Sequence, residues 1–103
     1  MTTRKQRINF KKVNRAALRH LPELVRNWLR DGHMVSGEWV AKNPTRFDRS
    51  AGSFMINLSS GKWSDFATGD RGGDVISLAA YLAGISQVEA ARRLADYLGV
   101  RHD

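Results

Sequence analysis

The sequence predicts an α+β fold: a small antiparallel sheet of about three strands, flanked by an N-terminal helix and two C-terminal helices. Three observations support this. Leu21, Leu24, Val25, Trp28 and Leu29 recur at the spacing of one helical face. Phe54, Ile56 and Leu58 alternate with Met55, Asn57 and Ser59, the period of a half-buried strand. Asp74 and Ser86 each precede an apolar run of helical spacing, and the two runs end at Gly84 and Gly99.

The 103 residues suit one domain with a modest core. Residues 1–13 read as a basic arm without apolar period, and residues 14–103 as the folded domain. Asn14 is the expected cap of a helical turn over Arg15 to His20. Pro22 suits the first turn of the next helix, whose buried stripe includes Trp28, and Gly32 is its expected stop. Met34 to Lys42 reads as one bent strand or a tight hairpin around Gly37, and Pro44 ends it. A polar loop, Thr45 to Gly52, leads to the strand at Phe54. Ser59-Ser60-Gly61 is turn chemistry, and Lys62 to Ala67 returns as the partner strand.

Gly69-Asp70-Arg71-Gly72-Gly73 is then a tight connection to the helix capped by Asp74. Its spacing is not that of a phosphate-binding loop, and Asp65, Asp70 and Asp74 around it repel phosphate. In the last helix Ser86 and Glu89 fit a capping box. Val88, Ala91, Leu94, Ala95 and Leu98 form its buried stripe.

Charge narrows the partners. Lys and Arg number 17 against 10 Asp and Glu, a net charge of +7. The excess is N-terminal: nine bases up to Arg30 face Glu23 alone, whereas from Asp65 onward four bases face six acids. Such an imbalance favours an anionic partner, most commonly nucleic acid. With no cysteine, disulfides, thiolate metal sites and a cysteine nucleophile are excluded. His20, His33 and His102 lack ligand spacing, the three aspartates match no calcium loop, and no nucleophile–base pair or paired carboxylates stand out. The expectation is a non-enzyme without metal or cofactor. No apolar run approaches the roughly 20 residues that span a bilayer, so a cytoplasmic protein without membrane contact is expected.

Bases interleaved with aromatic rings are what single-stranded nucleic acid binding requires. Trp39 stands near Lys42, Arg46 and Arg49 follow in the polar loop, and Lys62 precedes Trp63 and Phe66. The candidate contacts are Arg4, Lys5, Arg7, Lys11 and Lys12 on the arm, with Trp39, Lys42, Arg46, Arg49, Lys62 and Trp63 on the sheet and its loops. The alternative for both tryptophans is the core of the sheet.

In order and spacing, residues 22–100 resemble the zinc-binding (zinc-ribbon) N-terminal domain of bacterial-type DNA primases. Leu24 to Asp31 looks like that family's first helix, and Asn43-Pro44 stands where its Cys-Pro would. Ser53-Phe54-Met55-Ile56 is similar to its Ser-Phe strand. Lys62-Trp63-Ser64-Asp65-Phe66 resembles the strand into its Cys-x-x-Cys knuckle, with Phe66 and Gly69 near the cysteine positions. Gly72-Gly73-Asp74-Val75-Ile76 is the nearest match, and Glu89-Ala90-Ala91 with Leu98-Gly99 resembles its last helix.

All metal ligands of the family are missing, so the resemblance implies a zinc-ribbon-like domain without zinc, of the kind expected in phage or plasmid replication proteins. Trp63 and Phe66 are the expected apolar replacements for the metal. By resemblance, the chain is a non-catalytic module that binds nucleic acid, single-stranded DNA above all. It would assist replication or priming on a mobile element beside a primase polymerase or helicase. The alternative is a protein-interaction or regulatory module that keeps the fold without binding DNA.

Overall fold

The computed structural model describes residues 8–46 and 52–101. Among them, four helices accompany a five-stranded sheet. Helix α1 spans Phe10–Arg19, and its N-cap is Asn9, whose side chain accepts from the Lys12 N–H at 3.0 Å. The folded region therefore begins before the expected boundary at residue 14, and Lys11 and Lys12 lie on a helix rather than an arm. Asn14, the expected cap, has a long-range task instead. Its side-chain oxygen accepts from the Ile76 N–H at 2.9 Å and ties α1 to the first turn of helix α3 (Val75–Ala83). Helix α2 spans Leu21–Trp28, with Pro22 in its first turn, and buries Leu21, Leu24 and Val25 as the periodicity requires.

The strands are β1 (His33–Val35), β2 (Glu38–Ala41), β3 (Phe54–Asn57), β4 (Trp63–Asp65) and β5 (Arg71–Gly72), in spatial order β1-β2-β3-β4-β5, with every pair antiparallel. Two strands exceed the expected three. Ser36 and Gly37 both take positive φ, 48° and 81°, so the segment around Gly37 is a two-residue hairpin rather than a bend. The glycine cluster supplies the other strand. Ser64 pairs with Arg71 and Trp63 with Gly72, so what reads as a connection is an edge strand. Strand content was harder to read there because two residues carry no period.

The register aligns side chains in rows across the sheet. Trp39, Ile56, Trp63 and Gly72 are successive cross-strand partners, and Ala41, Phe54 and Asp65 form the next row on the same face. This inner face is covered: Trp63 and Phe54 meet Tyr81 of α3 at ring-centroid distances of 4.6 and 6.1 Å. Helix α4 (Gln87–Leu98) packs on α3, and α1 packs against both. Phe54, Ile56, Ile76, Leu78, Ala91 and Ala95 are fully buried at the centre of this arrangement.

Helix ends follow the expected chemistry. Asp74 caps α3 and forms a capping box with Ser77, Ser86 caps α4, and Gly84 and Gly99 end the two helices in left-handed conformation at φ 69° and 71°. Glu89 does not reach back to Ser86; its carboxylate accepts from Arg93 Nε at 3.0 Å. No helix among the described residues is long and apolar enough to cross a membrane.

Candidate nucleic-acid interface

Side chains alternate across a strand, so the residues between those of the inner rows face away from the helices. On β3 these are Met55 and Asn57; on β4 the outward positions are Lys62, Ser64 and, just beyond the strand, Phe66. Arg71 of β5 lies opposite Ser64, and Lys42 follows the outward positions 38 and 40 of β2. A shallow groove of about 310 Å³ runs over this face, lined by Glu38, Met55, Asn57, Lys62, Ser64 and Arg71, with the edges of Trp63 and Gly72 at its floor. Lys42, Lys62 and Arg71 are exposed. Among the described residues, Lys62 and Arg71 line this groove with Glu38, while Lys42 lies at the end of β2, where its N–H donates to Asp31 Oδ2 at 3.1 Å.

A second basic surface lies on α1. Lys11 and Arg15 line a groove of about 300 Å³ with Ser60, Asp74 and Val75. Both cations are exposed, whereas Lys12 is half-buried.

Trp63 touches the sheet groove, yet neither Trp39 nor Trp63 presents an exposed ring. They are 7% and 5% exposed. The Trp39 indole N–H donates to the Leu29 carbonyl at 3.0 Å, and the Trp63 indole N–H donates to Ser77 Oγ at 2.9 Å. Each ring is seated where a glycine leaves room. A Cβ on Gly32 would stand 2.2 Å from the Trp39 indole, and one on Gly72 would stand 2.4 Å from both Trp63 and Ser77. Gly32 is thus a packing position and not the expected helix stop, since α2 ends at Trp28 with Leu29 as its C-cap. Both tryptophans are core residues and offer no solvent-facing ring for stacking, which corrects their place among the expected contacts.

Between the loop after β2 and the turn joining β4 to β5 lies a buried polar network. Asn43 is 1% exposed. Its Nδ2 donates to Asp65 Oδ2 at 2.7 Å and to Tyr81 Oη at 2.8 Å, while its Oδ1 accepts from the Thr45 N–H at 2.9 Å and Thr45 Oγ1 at 2.7 Å. Tyr81 Oη donates in turn to Asp70 Oδ2 at 2.8 Å. Arg46 Nε lies 3.7 Å from Asp65 Oδ2. Burial tends to raise the Asp65 pKa, but hydrogen bonds from Asn43, the Ala67 N–H and Ser53, together with the Arg46 charge, hold it below its ordinary 3.8. Arg46 is therefore partly committed to an internal carboxylate.

Phe66 takes no part in this. It is 74% exposed, so the knuckle-like turn is held by hydrogen bonds around Asp65 and not by the burial of Trp63 with Phe66. Among the described residues no group of three or more His, Cys, Asp or Glu is placed to hold a metal ion.

Of the expected contacts, Lys62 lines the outer-face groove with Arg71, Lys42 is exposed at the end of β2, Lys11 and Lys12 sit on α1, and Arg46 turns toward Asp65. Arg4, Lys5, Arg7 and Arg49 lie outside the described residues. Arg71, Arg15 and Phe66 were missing from the expected set. The alternation of Lys62, Ser64 and Phe66 holds the signal for Phe66, whereas Arg71 needed β5 to be seen as a strand. No family model matches the chain, and no curated protein matches it.

Proposed function

We propose that the chain is a non-catalytic nucleic-acid-binding module, with single-stranded DNA as its expected ligand and an accessory role in priming or replication. The observation that carries this reading is the sheet face turned away from the helices, where Lys62 and Arg71 line a shallow groove with Glu38 and Lys42 lies exposed at the end of β2. A sheet face turned away from the helices presents a platform, and cations on it suit a tracked phosphate backbone. Lys11 and Arg15 on α1 add a second basic surface, and the excess of bases before residue 31 agrees with it. The accessory role rests on the primase resemblance alone.

Fluorescence anisotropy of labelled single-stranded and duplex oligonucleotides across a salt series tests this. Affinity should fall steeply as salt rises, because each neutralised phosphate releases counterions. Replacing Lys62 and Arg71 together by Ala should flatten the salt slope by about 1.4 for single strands. Absence of binding at low salt defeats the reading.

A second reading, a protein-interaction module, is favoured by one feature. An apolar groove of about 580 Å³ between α3 and α4 is lined by Trp28, Pro44, Leu82, Ile85, Leu94 and Tyr97 among others. Wild-type protein with no affinity for any oligonucleotide would leave that groove as the better guide.

A further inference from the structure

We infer that Phe66 is a base-stacking residue that gives the open sheet face its preference for unpaired nucleic acid; this rests on the nucleic-acid reading proposed above. Phe66 is 74% exposed, and the turn that carries it is tied down by hydrogen bonds. The Phe66 N–H donates to the Ser53 carbonyl at 2.9 Å, extending the β3–β4 ladder by one bond. The next residues fold back on Asp65: its carboxylate accepts from the Ala67 N–H at 2.8 Å, and its carbonyl accepts from the N–H groups of Thr68 at 3.2 Å and Gly69 at 2.7 Å. The Asp65 N–H donates to the Asp70 carbonyl at 2.8 Å, and Gly69 takes the positive φ of 85° that closes the turn. Asn43 and Arg46 hold the same carboxylate from the other side.

The ring is thus displayed from a pinned turn, and binding a base to it costs little further ordering. Strand alternation sets it on the same face as Lys62, with Ser64 between them and Arg71 across from Ser64. A π-face with cations two and four strand positions away matches an unpaired strand, whose bases stack while its phosphates follow the cations. A duplex hides its base faces and gains nothing from the ring. A protein partner would accept the ring too, but the flanking Lys62 and Arg71 favour a polyanion.

The experiment compares wild type, Phe66→Ala and Phe66→Trp on a thymidine oligonucleotide, an abasic oligonucleotide of equal length and a duplex, at one low salt concentration. Phe66→Ala should lose about 5- to 150-fold in affinity for the thymidine strand. It should leave the abasic strand and the duplex unchanged, and Phe66→Trp should restore thymidine binding. The exposed ring takes no place in the core, so circular dichroism of Phe66→Ala should match wild type. Equal thymidine affinity of wild type and Phe66→Ala, with both binding the strand, overturns the stacking role while leaving nucleic-acid binding intact. An equal loss on the abasic strand also overturns it. No binding by wild type to any of the three overturns both readings together.

Discussion

Two neighbouring rows on the inner face of the sheet are held in opposite ways. One runs Trp39, Ile56, Trp63, Gly72 and is stabilised by area: two indoles and an isoleucine removed from water, each indole N–H satisfied by a single partner. The other runs Ala41, Phe54, Asp65 and ends in a charge that sits at zero exposure within a network of donors. The first row depends on volume and shape, the second on partner count. Apolar packing degrades gradually as atoms are removed, whereas a buried carboxylate that loses one donor has no water to replace it.

The largest effect should come from the apolar row. Trp63→Ala empties the space against Phe54 and Tyr81 and should cost about 3–5 kcal/mol in denaturant unfolding. Next, Asn43→Leu keeps similar volume but strips Asp65, Tyr81 and Thr45 of a shared partner, and should cost about 2–3 kcal/mol. If Asn43→Leu proves neutral, the polar row is packing like its neighbour and the contrast fails. Gly72→Ala probes the seat directly; its Cβ meets Trp63 and Ser77, and about 1–3 kcal/mol of overpacking is expected.

Acid unfolding sharpens the contrast further. The folded-state pKa of Asp65 is depressed, so between that value and 3.8 the unfolded chain binds the extra proton. The stabilisation from this carboxylate is therefore fully present at neutral pH and is lost as pH falls through the folded pKa. Asp65→Asn should be less stable than wild type at pH 7, and the gap should close on acidification below pH 3.8. A gap that stays constant with pH would assign the loss to shape rather than charge. The smallest effect belongs to Phe66→Ala, whose stability should stay within about 0.5 kcal/mol of wild type.

These rows also show what the residue pattern reveals and what it hides. Local, periodic features were legible: the stripe of α2, the alternation of β3, the caps Asp74 and Ser86, and the stops Gly84 and Gly99. Features decided by distant partners were not. Asn14 and Asn9 have the same capping chemistry, and only the placement of α3 against α1 assigns Asn14 to Ile76. Gly32 and Gly72 look like turn glycines until the indoles of Trp39 and Trp63 are brought against them. Asn43 looks like a loop residue because its partners lie 22 and 38 positions away. The candidate surface splits the same way. Lys42 and Lys62 follow from strand alternation, whereas the choice between Trp63 and Phe66 as the exposed ring depends on which face the helices cover.

Among the described residues the sheet has two edge strands, only three and two residues long. An open ladder invites recruitment of a like strand from another molecule, the first step toward fibrous aggregates. Here β5 offers one arginine and one glycine, too little for a second copy to dock on. β1 exposes Met34 and Val35 but turns sharply at Ser36-Gly37 after three residues. Such brief margins give a second copy little ladder to extend, which disfavours edge-to-edge pairing.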